Sequence, residues 1–169
     1  MASVNFFADK YRRQPSCSCA EFYLTDPGEN RPAAITLQTA RRQATVHNPD
    51  CQQVSFIPID HNIPFKDTHG NDLSVCDGML CIDNSNSLLA FVEMKDQMQD
   101  WLRKAVDQLA RTIELFKQNH VPTDYRIRTA YAANKSHPNF HSSHKELMAR
   151  FKKQHGFLLR VTTEIKISQ

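Results

Sequence analysis

Residues 75–95 constrain this chain more than any other stretch. Two apolar runs, Val75–Ile82 and Leu88–Lys95, flank Asp83–Ser87, a linker built only of Asp, Asn and Ser. Apolar runs joined by turn-forming residues predict a β-hairpin. A five-residue connection sets Ile82 opposite Leu88, and counting outward from that pair sets Asp77 opposite Glu93. Directly opposed residues of an antiparallel pair have Cβ atoms about 5 Å apart. Two carboxylates at that spacing repel unless a proton or a cation lies between them. Alternation along the second strand gives Leu89, Phe91, Glu93 and Lys95 one face, and Leu88, Ala90, Val92 and Met94 the other. The Lys95 ammonium therefore emerges on the carboxylate side. Two carboxylates, a nearby carbonyl and an ammonium group suit a hard divalent cation that carries a phosphate.

The next segment reads as a helix over Asp96–Lys117. Asp96 is the expected N-cap and Gln99 completes a capping box. Met98, Trp101, Leu102, Ala105, Leu109, Ile113 and Phe116 recur with helical period, and charged residues fill much of the opposite side. Gln108, about two turns from Trp101, lies at the edge of the apolar stripe. His120–Thr123 stops the helix, and Asp124–Ala132 reads as a strand. Strand, helix and returning strand make a crossover, which sets the last strand parallel to the one carrying Glu93.

Asp77, the Glu93-Met94-Lys95 triplet and the long helix after them resemble the PD-(D/E)XK, or restriction-endonuclease-like, nuclease superfamily. The resemblance covers roughly residues 71–130, with Cys76 where many members have proline. It implies an α/β fold with a restriction-endonuclease-like core, a mixed central sheet flanked by helices. It implies Mg²⁺ or Mn²⁺ held by Asp77, Glu93 and the Met94 carbonyl. Catalysis would rest on Asp77, Glu93 and Lys95, with Gln108 as a helix glutamine near the site. The substrate class is nucleic acid, with DNA the favoured polymer, cleaved by phosphodiester hydrolysis. Members often carry a further acid on a first helix, for which Glu21 is the nearest residue by position. The same fold also serves as a catalytically silent protein-binding module, toxin-immunity proteins among them. A protein partner and a homodimer therefore stay open.

The rest of the chain fits one domain, with residues 1–50 an ill-defined N-terminal extension and 51–169 the core. Asn5–Arg13 reads as a short helix, Ala20–Leu24 as a strand, Asp26-Pro27-Gly28 as a turn, Arg31–Arg42 as a helix and Ala44–His47 as a strand. Gln53–Asp60 is apolar on both faces, with Pro58 pointing to an edge position or an irregular end. His61, Asp67 and His69 are expected to solvate the loop that follows. Ser143–Gln154 reads as a helix stopped by Gly156, and Phe157–Ile167 as the last strand.

Residues 1–100 hold 8 Lys and Arg against 13 Asp and Glu, whereas residues 101–169 hold 13 against 5. An acidic, metal-holding half beside a basic half suits an enzyme acting on a polyanion. Five cysteines, an odd number, argue against a disulfide framework. No apolar run is long enough to span a bilayer and no secretory leader is evident, so the expected location is the cytoplasm. His137, His141 and His144 have a zinc-like spacing but lack acid or cysteine partners on firm elements. Phosphate contact by Lys135 or these histidines is the better reading.

Overall fold

The apolar hairpin becomes the centre of a five-stranded sheet. The computed structural model describes residues 4–84, 87–96, 99–136 and 144–168. In chain order its strands are β1 (Glu21–Thr25), β2 (Ala34–Thr36), β3 (Ala44–His47), β4 (Ser55–Pro58), β5 (Gly78–Ile82), β6 (Leu88–Lys95), β7 (Ile127–Asn134), β8 (Leu158–Val161) and β9 (Glu164–Lys166). Its α-helices are α1 (Trp101–Lys117) and α2 (Lys145–His155). The large sheet has the order β4-β5-β6-β7-β8, antiparallel as far as β6 and parallel from β6 to β8. The small sheet has the order β2-β1-β3-β9, with β9 parallel to β3. The chain is therefore mixed α/β, with two mixed sheets and helices on one side.

The large sheet is covered on both faces, which is why its central strands read as unbroken apolar runs rather than alternating ones. Met79, Cys81, Leu89 and Phe91 pack under α1 and α2, whereas Leu80, Ile82, Ala90 and Val92 meet Phe22, Leu24 and Val46 of the small sheet. Register follows the count from the linker as far as the ladder runs: Ile82 opposes Leu88 and Gly78 opposes Val92, with Asp77 a bend just before β5 and Glu93 the residue after Val92. The crossover is also as expected, with Glu93 beside Ala132 of parallel β7. Among the described residues β4 pairs only with β5, and its Phe56 and Ile57 enter opposite cores, as an edge strand buried on both faces should. No helix among the described residues is long and apolar enough to cross a membrane.

Several local expectations are corrected. Residues 31–42 are not a helix: Ala34–Thr36 pairs with β1, and Thr39–Arg41 forms a single 3-10 turn. A helix there would have left the open edge of β1 unpaired. Asn5–Arg13 contains only a 3-10 turn at Asp9–Tyr11; it is held because Phe6 is buried against Phe65 and Phe116. Helix α1 starts at Trp101, not at Asp96. The Asp96 carboxylate is taken instead by the Ser136 hydroxyl at 2.5 Å and by Lys135 at 3.4 Å, so it caps nothing, and Gln99 lies outside the helix. Gln97 and Met98 lie outside the described residues.

The strand expected over Asp124–Ala132 runs Ile127–Asn134, because Pro122–Asp124 first makes a 3-10 turn. The segment Phe157–Ile167 is two strands rather than one. β8 pairs in the large sheet; Thr162 and Thr163 then break away, and β9 pairs in the small one. Thr162 donates to Ala132 of the large sheet while Thr163 accepts from Thr45 of the small one, so this step ties the two sheets together. Helix α2 buries Phe151 and ends at Gly156, whose φ of 77° supplies the left-handed cap.

Candidate active site

The site lies where the β5–β6 ladder ends and α1 crosses over it. Asp77 and Glu93 are interlocked: the Asp77 N–H donates to Glu93 Oε2 at 3.2 Å, and the Met94 N–H donates to Asp77 Oδ2 at 2.6 Å. Both side chains are out of water, Glu93 at 0% and Asp77 at 7% exposure. Lys95 Nζ is ion-paired with Glu93 Oε1 and donates to Gln108 Oε1 at 2.8 Å. The expectation that Lys95 shares the Glu93 face is met, and Gln108 touches it from α1.

Helix α1 also grips the chain just before Asp77. Arg111 donates to the Ser74 carbonyl at 2.8 Å, Gln108 Nε2 to the Val75 carbonyl at 2.8 Å, and the Cys76 N–H to the Thr112 hydroxyl at 2.9 Å. Three consecutive residues are thus fastened to three side chains at i, i+3 and i+4, the spacing that shares one helix face. On its other edge the strand approaches β4 closely. A Cβ at Gly78 would lie 2.4 Å from the Phe56 ring, so a side chain there would force that ring to shift. The Asp77 carbonyl accepts from the Ile59 N–H at 2.8 Å.

Burial dominates the electrostatics. It pushes the Glu93 carboxyl up to about 7, against the opposing pull of the Lys95 ammonium. Burial and the Glu93 charge push Asp77 well above the carboxylate range, with the Met94 N–H opposing. Burial by itself would lower Lys95, but Glu93, Asp77 and Asp26 outweigh it and its net shift is upward. One ammonium faces two buried carboxylates, so the pair as a whole needs a further positive charge or a proton.

Two acids that the sequence did not single out join this field. Asp60, at the end of β4, pushes Glu93 upward, and its own carboxyl is raised by burial, with His61, 3.3 Å away, and Lys95 opposing. Asp26, in the turn after β1, acts on both Asp77 and Lys95. The turn motif around Asp26 was legible; its position beside the hairpin depends on how the small sheet stacks, which local pattern does not encode. Glu21 is not part of the site. It stands at the opposite end of β1 from Asp26, exposed, bonded to the Tyr23 hydroxyl at 2.8 Å and 3.6 Å from His47. Asp67 serves its own loop, accepting from the His69 and Asn71 N–H groups. His137 and His141 lie outside the described residues, and His144 immediately precedes α2.

Among the described residues no group of three or more His, Cys, Asp or Glu side chains is gathered for a metal. The oxygens on hand at the site are those of the Asp77 and Glu93 carboxylates and of the main chain. The Met94 N–H points at Asp77, and in an extended strand the carbonyl of the same residue points to the same edge. Two hard oxygens from carboxylates with the rest from water and phosphate is the way Mg²⁺ is usually held, and the uncompensated charge fits it. No protein-family model matches the chain, and neither a curated protein nor a solved structure matches it.

Proposed function

We propose that this chain is a metal-dependent nuclease of the PD-(D/E)XK type, with a restriction-endonuclease-like core, that hydrolyses phosphodiester bonds in nucleic acid, DNA foremost. The observation that carries the reading is the Asp77–Glu93 pair, buried side by side at the end of the β5–β6 ladder with Lys95 ion-paired to Glu93. A strand that merely ended in Glu-x-Lys by chance would place that ion pair in solvent, where it is worth little. Asp77, Glu93 and the Met94 carbonyl are the residues that would hold Mg²⁺ or Mn²⁺. When bound, the ion supplies a polarised phosphate and a water acidic enough to attack at neutral pH. Lys95, protonated and aimed by Glu93 and Gln108, sets positive charge where the phosphate oxygens gain negative charge. Gln108 fixes that ammonium while tying α1 to the strand that carries Asp77.

The test is incubation with plasmid, single-stranded DNA and RNA in Mg²⁺ or Mn²⁺, beside EDTA controls. Cleavage that EDTA stops, and that Asp77→Asn, Glu93→Gln and Lys95→Ala each abolish without loss of fold, is the expected result. Full metal-dependent activity in Glu93→Gln would refute the assignment. Absence of cutting together with stable, metal-independent capture of a protein would point to the binding-module use of this fold.

A further inference from the structure

An acid-rich centre cannot hold a polyanion by itself. Asp26, Asp60, Asp77 and Glu93 outnumber Lys95, so a strand laid across them needs cationic purchase on its flanking phosphates. One cleft supplies it. A cavity of about 510 Å³ opens between the residues leading into β3 and the segments after β7 and β8, lined by Thr39, Arg42, Gln43, Thr45, Lys135 and Thr163, with Ala40 and Glu164 beside them.

The cleft adjoins the candidate active site in two ways. Lys135 directly follows Asn134, which pairs with Lys95, and Lys135 is bound to Asp96, the residue after Lys95. Gln43 accepts the main-chain N–H of Asp26, whose carboxylate acts on Asp77 and Lys95. The cleft therefore begins one residue from the hairpin, at the carboxyl ends of the parallel strands β6 and β7, where open α/β sheets characteristically bind ligands. The Arg42 guanidinium lies over the Tyr23 ring, 5.7 Å from its centroid, which holds its planar fork at the cleft. The one acid on the lining, Glu164, is bonded to the His47 ring at 2.5 Å.

Resting on the nuclease reading, we propose that this cleft is the subsite for a phosphate next to the scissile one, held with its nucleoside by Arg42 and Lys135. The volume falls within the range of small-ligand pockets, about 300–1,000 Å³. That suits a single nucleotide unit of the strand being cut, rather than a duplex.

The experiment is fluorescence anisotropy of a labelled single-stranded 12-mer across a salt series. Every protein carries Asp77→Asn, so that nothing is cut. Arg42→Ala and Lys135→Ala are compared with that parent and with Lys104→Ala, an exposed lysine of α1 outside the cleft. Each cleft substitution is expected to weaken binding about 5- to 10-fold at low salt and to lower the slope of log K against log salt by about 0.7. Arg42→Lys should recover the slope, because it restores the charge. Affinities and slopes for the cleft variants equal to those of the parent, or of Lys104→Ala, overturn the proposal, as does a parent that does not bind. If the parent binds and the cleft variants lose affinity while the wild type cuts nothing, the cleft's hold on a nucleic-acid phosphate stands and the nuclease reading fails. If the wild type cuts and the cleft variants bind as the parent does, the subsite alone fails.

Discussion

The metal-free protein should lose stability as pH rises from about 4.5 to about 7, and Glu93 should be the main reason. Its carboxyl is raised by burial from 4.5 to about 7, so between those values the folded chain holds a proton that the unfolded chain has released. Stability from this source is complete below about 4.5 and gone once the pH passes about 7. At about 1.4 kcal/mol per pKa unit, the rise corresponds to about 3 kcal/mol. For a chain of this length each kcal/mol moves Tm by roughly 2–4 °C, so the fall should be about 6–12 °C. Asp77 is shifted the same way, and the two carboxyls titrate as a pair, so the transition belongs to the pair. The assay is thermal unfolding from pH 4.5 to 8.5 in EDTA, read as wild type minus Glu93→Gln, which cancels the titrating groups that Glu93 does not touch and leaves the response of the pair. Repeating it with Mg²⁺ or Mn²⁺ should restore Tm at pH 8 and change little at pH 5, because the ion replaces the proton. At a concentration of 100 Kd the gain is about 2.7 kcal/mol. A difference curve that is flat, or that rises with pH in EDTA, would refute the argument that Glu93 is buried without sufficient positive charge.

Three further outcomes follow from the geometry around the site. Gly78→Ala forces a Cβ toward the Phe56 ring and should cost about 1–3 kcal/mol in urea unfolding, with Phe56→Leu in the same chain recovering part of it. Thr112→Val, which keeps the shape and removes the acceptor for the Cys76 N–H, should cost about 1–3 kcal/mol in the same measurement. Gln108→Leu leaves Lys95 without its helix partner; a loss of about 10- to 100-fold in kcat with little change in KM is expected from single-turnover and steady-state cleavage.

What local pattern could fix, the sequence carried. A five-residue linker leaves one register for the hairpin, and both runs are too apolar to turn a face to water, so the approach of Asp77 to Glu93 was legible, although Asp77 lies just outside the ladder. The stripe of α1 and the crossover to β7 followed from period and chain direction. Residues 31–42 were misread because Arg31, Pro32 and two alanines suit a helix start equally well, and only the open edge of β1 decides for a strand. The break at Thr162-Thr163 was hidden because β-branched residues sustain a strand pattern even where the chain changes sheets. Asp26 and Asp60 escaped because each stands at the end of a short element whose neighbour is distant in sequence. Thr112 carried a faint signal, a hydroxyl between Leu109 and Ile113 on the buried side of α1.

The hairpin is an unstable place to put two acids, and the surrounding contacts make sense as the means of keeping them there. Left free, the segment before Asp77 could slide outward and let its carboxylate reach water, which would relieve both the desolvation and the repulsion from Glu93. Arg111, Gln108 and Thr112 prevent this by fastening Ser74, Val75 and Cys76 to α1, while Gly78 admits the Phe56 ring on the opposite side. A purely structural strand would gain nothing from such restraint, since apolar residues at 77 and 93 would pack the same space without the electrostatic cost. The restraint has a purpose if the acids must stay close and dry until a cation joins them. Gln108 sits at the point where the two demands meet, because its amide holds the strand with one end and the lysine with the other.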